Sequence, residues 1–111
     1  MKPVIGLCLA LFLFASAVLY AGQVYGTIVS AGQPVKGASI EIQCGTEAAV
    51  TGSTGGDGAY RINVPPEGQC TLALPSFAGR PSATVFSGPN PASYNFDLAK
   101  LADGKYELRR R

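Results

Sequence analysis

The segment from Thr51 to Leu74 constrains the fold of this chain more than any other stretch. On both sides of a Pro-Pro-Glu-Gly turn at residues 65–68, a bulky apolar residue or a cysteine occupies every second position. These positions are Tyr60, Ile62, Val64, Cys70, Leu72 and Leu74. A β-strand with one buried face requires this alternation, because successive side chains point to opposite faces of a sheet. The segment therefore predicts two antiparallel strands that cover a hydrophobic core.

The rest of the chain from Gln23 onward consists of similar short stretches, which glycine and proline separate. Stretches rich in β-branched, aromatic and alternating apolar residues predict further strands. These strands are Gln23–Ser30, Ala38–Cys44, Ala48–Thr51, Ala83–Phe86 and Tyr94–Leu98. The same region lacks the periodicity of about 3.6 residues that a helix requires. Seven or eight short strands with regular turns therefore predict an all-β fold, a small antiparallel Greek-key β-sandwich.

Two local features predict how particular strands are shaped. Gly26 lies inside the first strand and predicts a bulge or a close approach by another segment of backbone. An Asp-Gly pair at residues 103–104 predicts a tight hairpin. A two-residue turn at this position would place Lys100 opposite Glu107 as a cross-strand ion pair. It would also require a bulge near Ala99, so that Leu98 and Leu101 could share one face.

The first 21 residues differ from the rest and predict an N-terminal signal peptide. Lys2 precedes an apolar run that continues to about Tyr20, and small residues at 15–17 match a signal-peptidase site. Cleavage is predicted after residue 17 or after residue 21. The apolar run falls short of the ~20 residues of a spanning helix, which favours cleavage over a membrane anchor. We therefore expect a secreted or periplasmic domain over residues 22–111 with no membrane span.

Three cysteines are present, and Cys8 lies within the predicted signal peptide. The remaining pair, Cys44 and Cys70, predicts one disulfide in an exported chain. Both cysteines fall on the apolar phase of their strands, so their side chains are expected to point into the same core. The alternative is two buried free thiols that act as small apolar residues.

Composition and charge argue against catalysis and nucleic-acid binding. The chain contains no histidine, which removes the commonest general base and the usual partner of a serine or cysteine nucleophile. The formal net charge is only +2, without the basic face of a nucleic-acid binder. Asp57 is expected to form a turn, since a calcium site needs ~6 or more oxygen ligands. The other carboxylates considered lie in turns or at outward positions: Glu41, Glu47 and Glu67. No enzyme, cofactor or metal is therefore expected.

Two groups of residues resemble the carboxypeptidase regulatory-like domain family. The first group is Gly32-Gln33-Pro34-Val35 followed by Gly37-Ala38-Ser39-Ile40. The second comprises Thr51, the Gly55–Gly58 turn, Tyr60, Ile62, Pro65-Pro66, Gly68 and Cys70-Thr71-Leu72. The resemblance covers Gln23 to Leu74 and implies a seven-stranded, transthyretin-like (prealbumin-like) sandwich in a stand-alone exported form. Cys70 departs from the tyrosine that is usual in the family after its Pro-Gly turn. The family implies an architecture and no particular ligand.

These features predict a non-enzymatic binding or structural module that docks a protein of the cell envelope. The predicted partner surface comprises Phe77, Arg80 and Phe86, with Phe77 the most exposed aromatic. The alternative is a carbohydrate-binding module that stacks sugars on a strip of exposed aromatic rings. The candidate rings are Tyr25, Phe77, Phe86, Tyr94, Phe96 and Tyr106. Three arginines at residues 109–111 are expected to form a frayed, solvated tail, although contact with acidic lipid or polysaccharide is the alternative.

Processing of the N-terminal segment can be tested by mass spectrometry. If the segment is a cleaved signal, the intact mass of the exported protein should correspond to a chain that begins at Val18 or Gly22. Recovery of the full-length chain from membranes alone would show an uncleaved anchor instead.

Overall fold

The computed structural model describes residues 22–111, and the predicted signal peptide lies outside these residues. The described part is all-β and contains no helix. Its strands are β1 (Gln23–Ser30), β2 (Gln33–Pro34), β3 (Ser39–Gln43), β4 (Val50–Ser53), β5 (Ala59–Asn63), β6 (Gly68–Ala73), β7 (Ser82–Ser87), β8 (Ala92–Ser93), β9 (Phe96–Lys100) and β10 (Tyr106–Arg110). Within residues 22–111, nothing has the helical length and apolarity that crossing a bilayer demands.

The first sheet is built around β1. This strand pairs antiparallel with β5 over most of its length and with β2 at its end. It also pairs in parallel with β8 and then with β9. Strand β10 pairs antiparallel with β9 and forms an edge of the sheet. Every other strand of this sheet except β10 therefore pairs directly with β1.

The second sheet has the order β4-β3-β6-β7, and all of its neighbouring strands are antiparallel. The register places Ile42 opposite Leu72 and Leu72 opposite Ala83. Residues on one side of these strands enter the core, while polar residues such as Thr71 and Thr84 form the other side. The alternation of the sequence thus sets which face of the sheet is buried.

Side chains from both sheets fill one hydrophobic core. The fully buried residues include Val24, Ile28, Ile40, Ile42, Val64, Leu72, Leu74, Val85 and Phe96, each 0% exposed. The alternating residues that predicted the two strands are confirmed as core residues, because all six are at most 5% exposed. The two sheets and the shared core give a β-sandwich-like arrangement.

Gly26 confirms the prediction of a close backbone approach within β1. A side-chain carbon at this position would lie 1.8 Å from the carbonyl oxygen of Tyr94. The backbone N–H of Tyr94 donates to the carbonyl of Tyr25 at 2.8 Å, which holds the segment between β8 and β9 against β1. Only a residue without Cβ leaves room for this contact.

The predicted register of the last hairpin is wrong by one residue. Lys100 lies opposite Tyr106, so the expected Lys100–Glu107 ion pair does not form. Residues 101–105 make a longer loop in which the Asp103 carboxylate accepts a hydrogen bond from the N–H of Lys105 at 3.0 Å. This register buries Leu108 opposite Leu98. The predicted bulge near Ala99 is absent from the β9–β10 ladder, because burial of one face determines the register.

Cys44 and Cys70 form the predicted disulfide. The β3–β6 register, continued by one step beyond Gln43 and Thr71, places the two cysteines directly opposite each other. Their Cα atoms are 4.2 Å apart, as in closely spaced pairs of antiparallel strands. The bond therefore joins neighbouring strands of the second sheet and does not connect the two sheets.

Removal of this disulfide should lower the free energy of unfolding by about 3–4 kcal/mol. The bond closes a loop with a sequence separation of 26, and opening that loop increases the conformational entropy of the unfolded chain. Urea denaturation of a Cys44→Ser/Cys70→Ser variant measures the loss. Wild-type protein kept in a reductant is the control, and it should lose a similar amount of stability. Two titratable thiols in unreduced, denatured protein would contradict the bond itself.

Candidate functional site

Phe86 lies on β7, at an edge of the second sheet, and points away from the core. Two large hydrophobic residues are exposed among residues 22–111, and Phe86, at 54% exposure, is the more exposed of the two. Its backbone N–H donates to the hydroxyl of Tyr94 at 3.0 Å. This hydrogen bond fixes the backbone beneath an exposed aromatic ring.

Arg80 lies just before β7 and forms an ion pair with Glu41 of β3. In the register, Ala73 of β6 is the neighbour of both Glu41 and Ser82. The ion pair therefore spans the strand that carries Ala73, which is only 6% exposed although its position faces outward. Because Glu41 pairs with the guanidinium of Arg80, Arg80 contributes less uncompensated positive charge to this surface than the sequence suggested.

The prediction that Phe77 is the most exposed aromatic is wrong. Its ring packs edge-to-face against Tyr106, with 5.1 Å between the ring centroids. The loop around it is also fixed, because the N–H of Tyr106 donates to the carbonyl of Ala78 at 2.9 Å. Phe77 is half-buried against the core, because β10 supplies an aromatic partner that the local sequence does not reveal.

The three residues predicted as a partner surface differ in their environments, because Phe77 is half-buried whereas Arg80 and Phe86 are exposed. Arg80 and Phe86 are both exposed on the outer side of the second sheet, but Arg80 precedes β7 and Phe86 lies near the far end of that strand, about 13 Å beyond Ser82. The surface between them is polar and uncharged apart from the Arg80–Glu41 pair. We name this surface the Phe86 face and define it by Glu41, Gln43, Gln69, Thr71, Ser82, Thr84 and Phe86.

Most of the aromatic rings proposed for sugar stacking are buried or half-buried. Tyr94 and Phe96 are 7% and 0% exposed, and Tyr25, Phe77 and Tyr106 are intermediate. The Tyr60 hydroxyl donates to the carbonyl of Tyr94 at 2.6 Å. Burial, with a smaller effect from Tyr94, raises the pKa of Tyr60 well above its usual value, so it remains a hydrogen-bond donor. Only Phe86 among the candidate rings is strongly exposed.

The prediction of a frayed tail at residues 109–111 is wrong. The first two of these arginines belong to β10, and the guanidinium of Arg110 lies 4.7 Å from the centroid of the Tyr94 ring. The guanidinium of Arg111 donates to the Thr27 hydroxyl at 3.3 Å. Backbone pairing and these side-chain contacts hold the segment against the first sheet.

Of the carboxylates considered in the sequence analysis, Asp57 has the structural role that was predicted for it. Asp57 accepts a hydrogen bond from the N–H of Ala59 at 3.0 Å, which confirms its role in the turn. Glu47 and Glu67 both line an open cleft of about 490 Å³ beside the disulfide. Among residues 22–111, no group of three or more potential metal-binding side chains comes together.

A second open cleft, of about 390 Å³, lies where the outer side of the first sheet meets Ser53 of β4. It is lined by Tyr25, Gly26, Thr27, Ser53, Ala59, Tyr60, Arg61, Ser93 and Asn95. The side-chain oxygen of Asn95 accepts hydrogen bonds from the N–H and the hydroxyl of Thr27, at 2.9 and 3.1 Å. Sequence reasoning missed this cleft, because Thr27 and Asn95 are separated by 68 positions and carry no motif. We name it the Arg61 cleft.

Comparison with known proteins does not assign this chain to a family. No model of a protein family matches this chain, and no curated protein matches its sequence.

The different environments of two phenylalanines predict different effects on stability. Replacing Phe77 with Thr should lower the free energy of unfolding by about 1–3 kcal/mol, because the packing against Tyr106 is lost. The matched change Phe86→Thr should alter it by no more than about 0.5 kcal/mol, because the ring is exposed and threonine also favours strands. Thermal and urea unfolding of both variants provide the measurement. Equal losses in the two variants would contradict the assigned environments.

Proposed function

We propose that this protein is a non-enzymatic, exported binding module that docks a protein of the cell envelope through the Phe86 face. The observation that carries this proposal is the exposure of Phe86, 54%, on an edge strand where its backbone N–H is hydrogen-bonded to Tyr94. An exposed aromatic ring on a fixed backbone offers a large apolar contact at a low cost in side-chain entropy.

The surroundings of Phe86 support a protein partner. Gln69 lies opposite Phe86, and Thr71 lies opposite Thr84, so amide and hydroxyl groups surround the ring. The only carboxylate of the face, Glu41, is already paired with Arg80. Protein interfaces typically combine an aromatic anchor with a core depleted of charged residues. A sugar platform made of stacked rings would need more exposed aromatics than this face presents.

The Cys44–Cys70 disulfide supports an oxidising compartment, outside the cytoplasm. This agrees with the proposed signal peptide over residues 1–21. The all-β, two-sheet arrangement also supports our proposal that the chain is a stand-alone carboxypeptidase regulatory-like domain with a Greek-key, transthyretin-like fold. The lack of histidine supports a role without catalysis.

Site-specific photo-cross-linking can test the proposed docking face. Benzoylphenylalanine placed at Phe86 should give a discrete covalent adduct with an envelope protein in cells. The matched control is the same probe at Leu101, the other exposed large hydrophobic residue, at 39% exposure. No adduct at position 86, or equal adducts at both positions, would contradict docking through the Phe86 face.

A pull-down with the purified variant separates a protein partner from a glycan. Phe86→Thr should reduce capture of the cross-linked protein by at least about tenfold, since an interface anchor commonly contributes more than 1.4 kcal/mol. Capture that persists in this variant, but is released by soluble oligosaccharide, would instead support the carbohydrate-binding alternative.

A further inference from the structure

The Arg61 cleft is a depression formed by the outer side of the first sheet together with Ser53, at the end of β4. Its floor contains Gly26, Thr27 and Ala59, whose side chains are absent or short. The larger side chains of Tyr25 and Arg61 rise beside this floor. The resulting volume of about 390 Å³ falls within the range of small-ligand sites.

The charge of the cleft is positive. Among residues 22–111, no carboxylate lies within ion-pair distance of Arg61, and no Asp or Glu lines the cleft. The Arg61 guanidinium contacts the Tyr25 ring at 5.5 Å and the side-chain oxygen of Gln23 at 3.4 Å. These two contacts orient the guanidinium and leave its charge uncompensated. A planar guanidinium in this state binds carboxylates through paired hydrogen bonds.

A second guanidinium, that of Arg111, lies beside the cleft at Thr27. Arg111 donates to the hydroxyl of Thr27 at 3.3 Å, and its Nε lies 3.7 Å from the carboxylate of Asp97. Asp97 compensates part of this charge and fixes the side chain. Arg61 is therefore the cationic anchor of the cleft, and the Arg111–Asp97 pair lies beside it.

Neutral hydrogen-bonding groups complete the cleft. Asn95 uses its side-chain oxygen for Thr27, so its amide NH₂ remains available as a donor. Ser53, Ser93 and Tyr25, which also line the cleft, each carry a hydroxyl group. Each hydroxyl can both donate and accept. This set matches a ligand with several hydroxyl groups of its own.

We propose that the Arg61 cleft binds a hexuronate unit of an acidic polysaccharide. Arg61 binds the carboxylate, while Asn95 and the two serines bind the ring hydroxyls. A neutral sugar would leave the guanidinium without its anion, and an aliphatic carboxylate would leave the hydroxyl groups without partners. This inference goes beyond the proposed docking function, because it concerns a different surface and a different ligand.

The proposal can be tested by titrating ¹⁵N-labelled protein with tetragalacturonate and following amide chemical shifts. The expected result is a saturable shift of amides around positions 25–27, 59–61 and 93–95. Maltotetraose, a neutral sugar of equal length, should cause no saturable shift at the same concentrations. Amides of the Phe86 face should not respond, which makes the result independent of the docking proposal.

Two arginine variants provide a matched comparison. Arg61→Gln removes the charge at nearly the same side-chain size and should weaken binding by about tenfold or more, as loss of a charged hydrogen bond does. Arg80→Gln removes an exposed arginine that lies just before β7 of the other sheet, and it should change the affinity less than about twofold. Well-dispersed amide spectra show that both variants are folded.

Three outcomes would overturn the proposal. They are the absence of a saturable shift, a saturable response to maltotetraose of equal strength, and an equal loss of affinity in the Arg61 and Arg80 variants. The last outcome would show non-specific attraction to surface arginines.

Discussion

The pairing of β1 on both of its sides is the interaction on which the first sheet depends. Strands that are distant in sequence hydrogen-bond to this one strand, some antiparallel and some parallel. Gly26 makes this arrangement possible, because any side chain there would collide with the Tyr94 carbonyl. The same carbonyl accepts the Tyr60 hydroxyl, so one contact links β1, β5 and the segment after β8. The floor of the Arg61 cleft is a direct product of this close approach.

The all-β class, the first strand and the inward side chains of the second sheet could be predicted because alternation has a simple physical cause. A residue such as Leu72 is buried wherever its strand lies on a core. The last hairpin could not be predicted in the same way. An Asp-Gly pair favours a two-residue turn, but the Asp103 side chain instead supports a longer loop and Leu98 pairs with Leu108. Tertiary burial outweighed local turn preference.

The candidate sites were less accessible to sequence reasoning, because exposure depends on partners that are remote along the chain. Phe77 and Phe86 occur in similar glycine- and proline-rich surroundings, yet only Phe77 meets an aromatic partner, Tyr106. The arginines at residues 109–111 were predicted to form a solvated tail, although the backbone of this segment pairs with β9 at the edge of the first sheet. Thr27 and Asn95 meet only after β1 and β9 pair. The alternation of the sequence predicts that both side chains point outward, but it does not predict which residues they contact.

The position of the disulfide has a consequence for how the protein withstands proteolysis. Cys44 and Cys70 bracket the exposed residues 45–49 and the turn at 65–69, two segments that a protease can reach. A single cut in either segment would leave two fragments that remain covalently joined. Their ends would stay close together, since the cysteines are neighbours in the β3–β6 register. A nicked molecule can thus keep both sheets assembled and still present the Phe86 face.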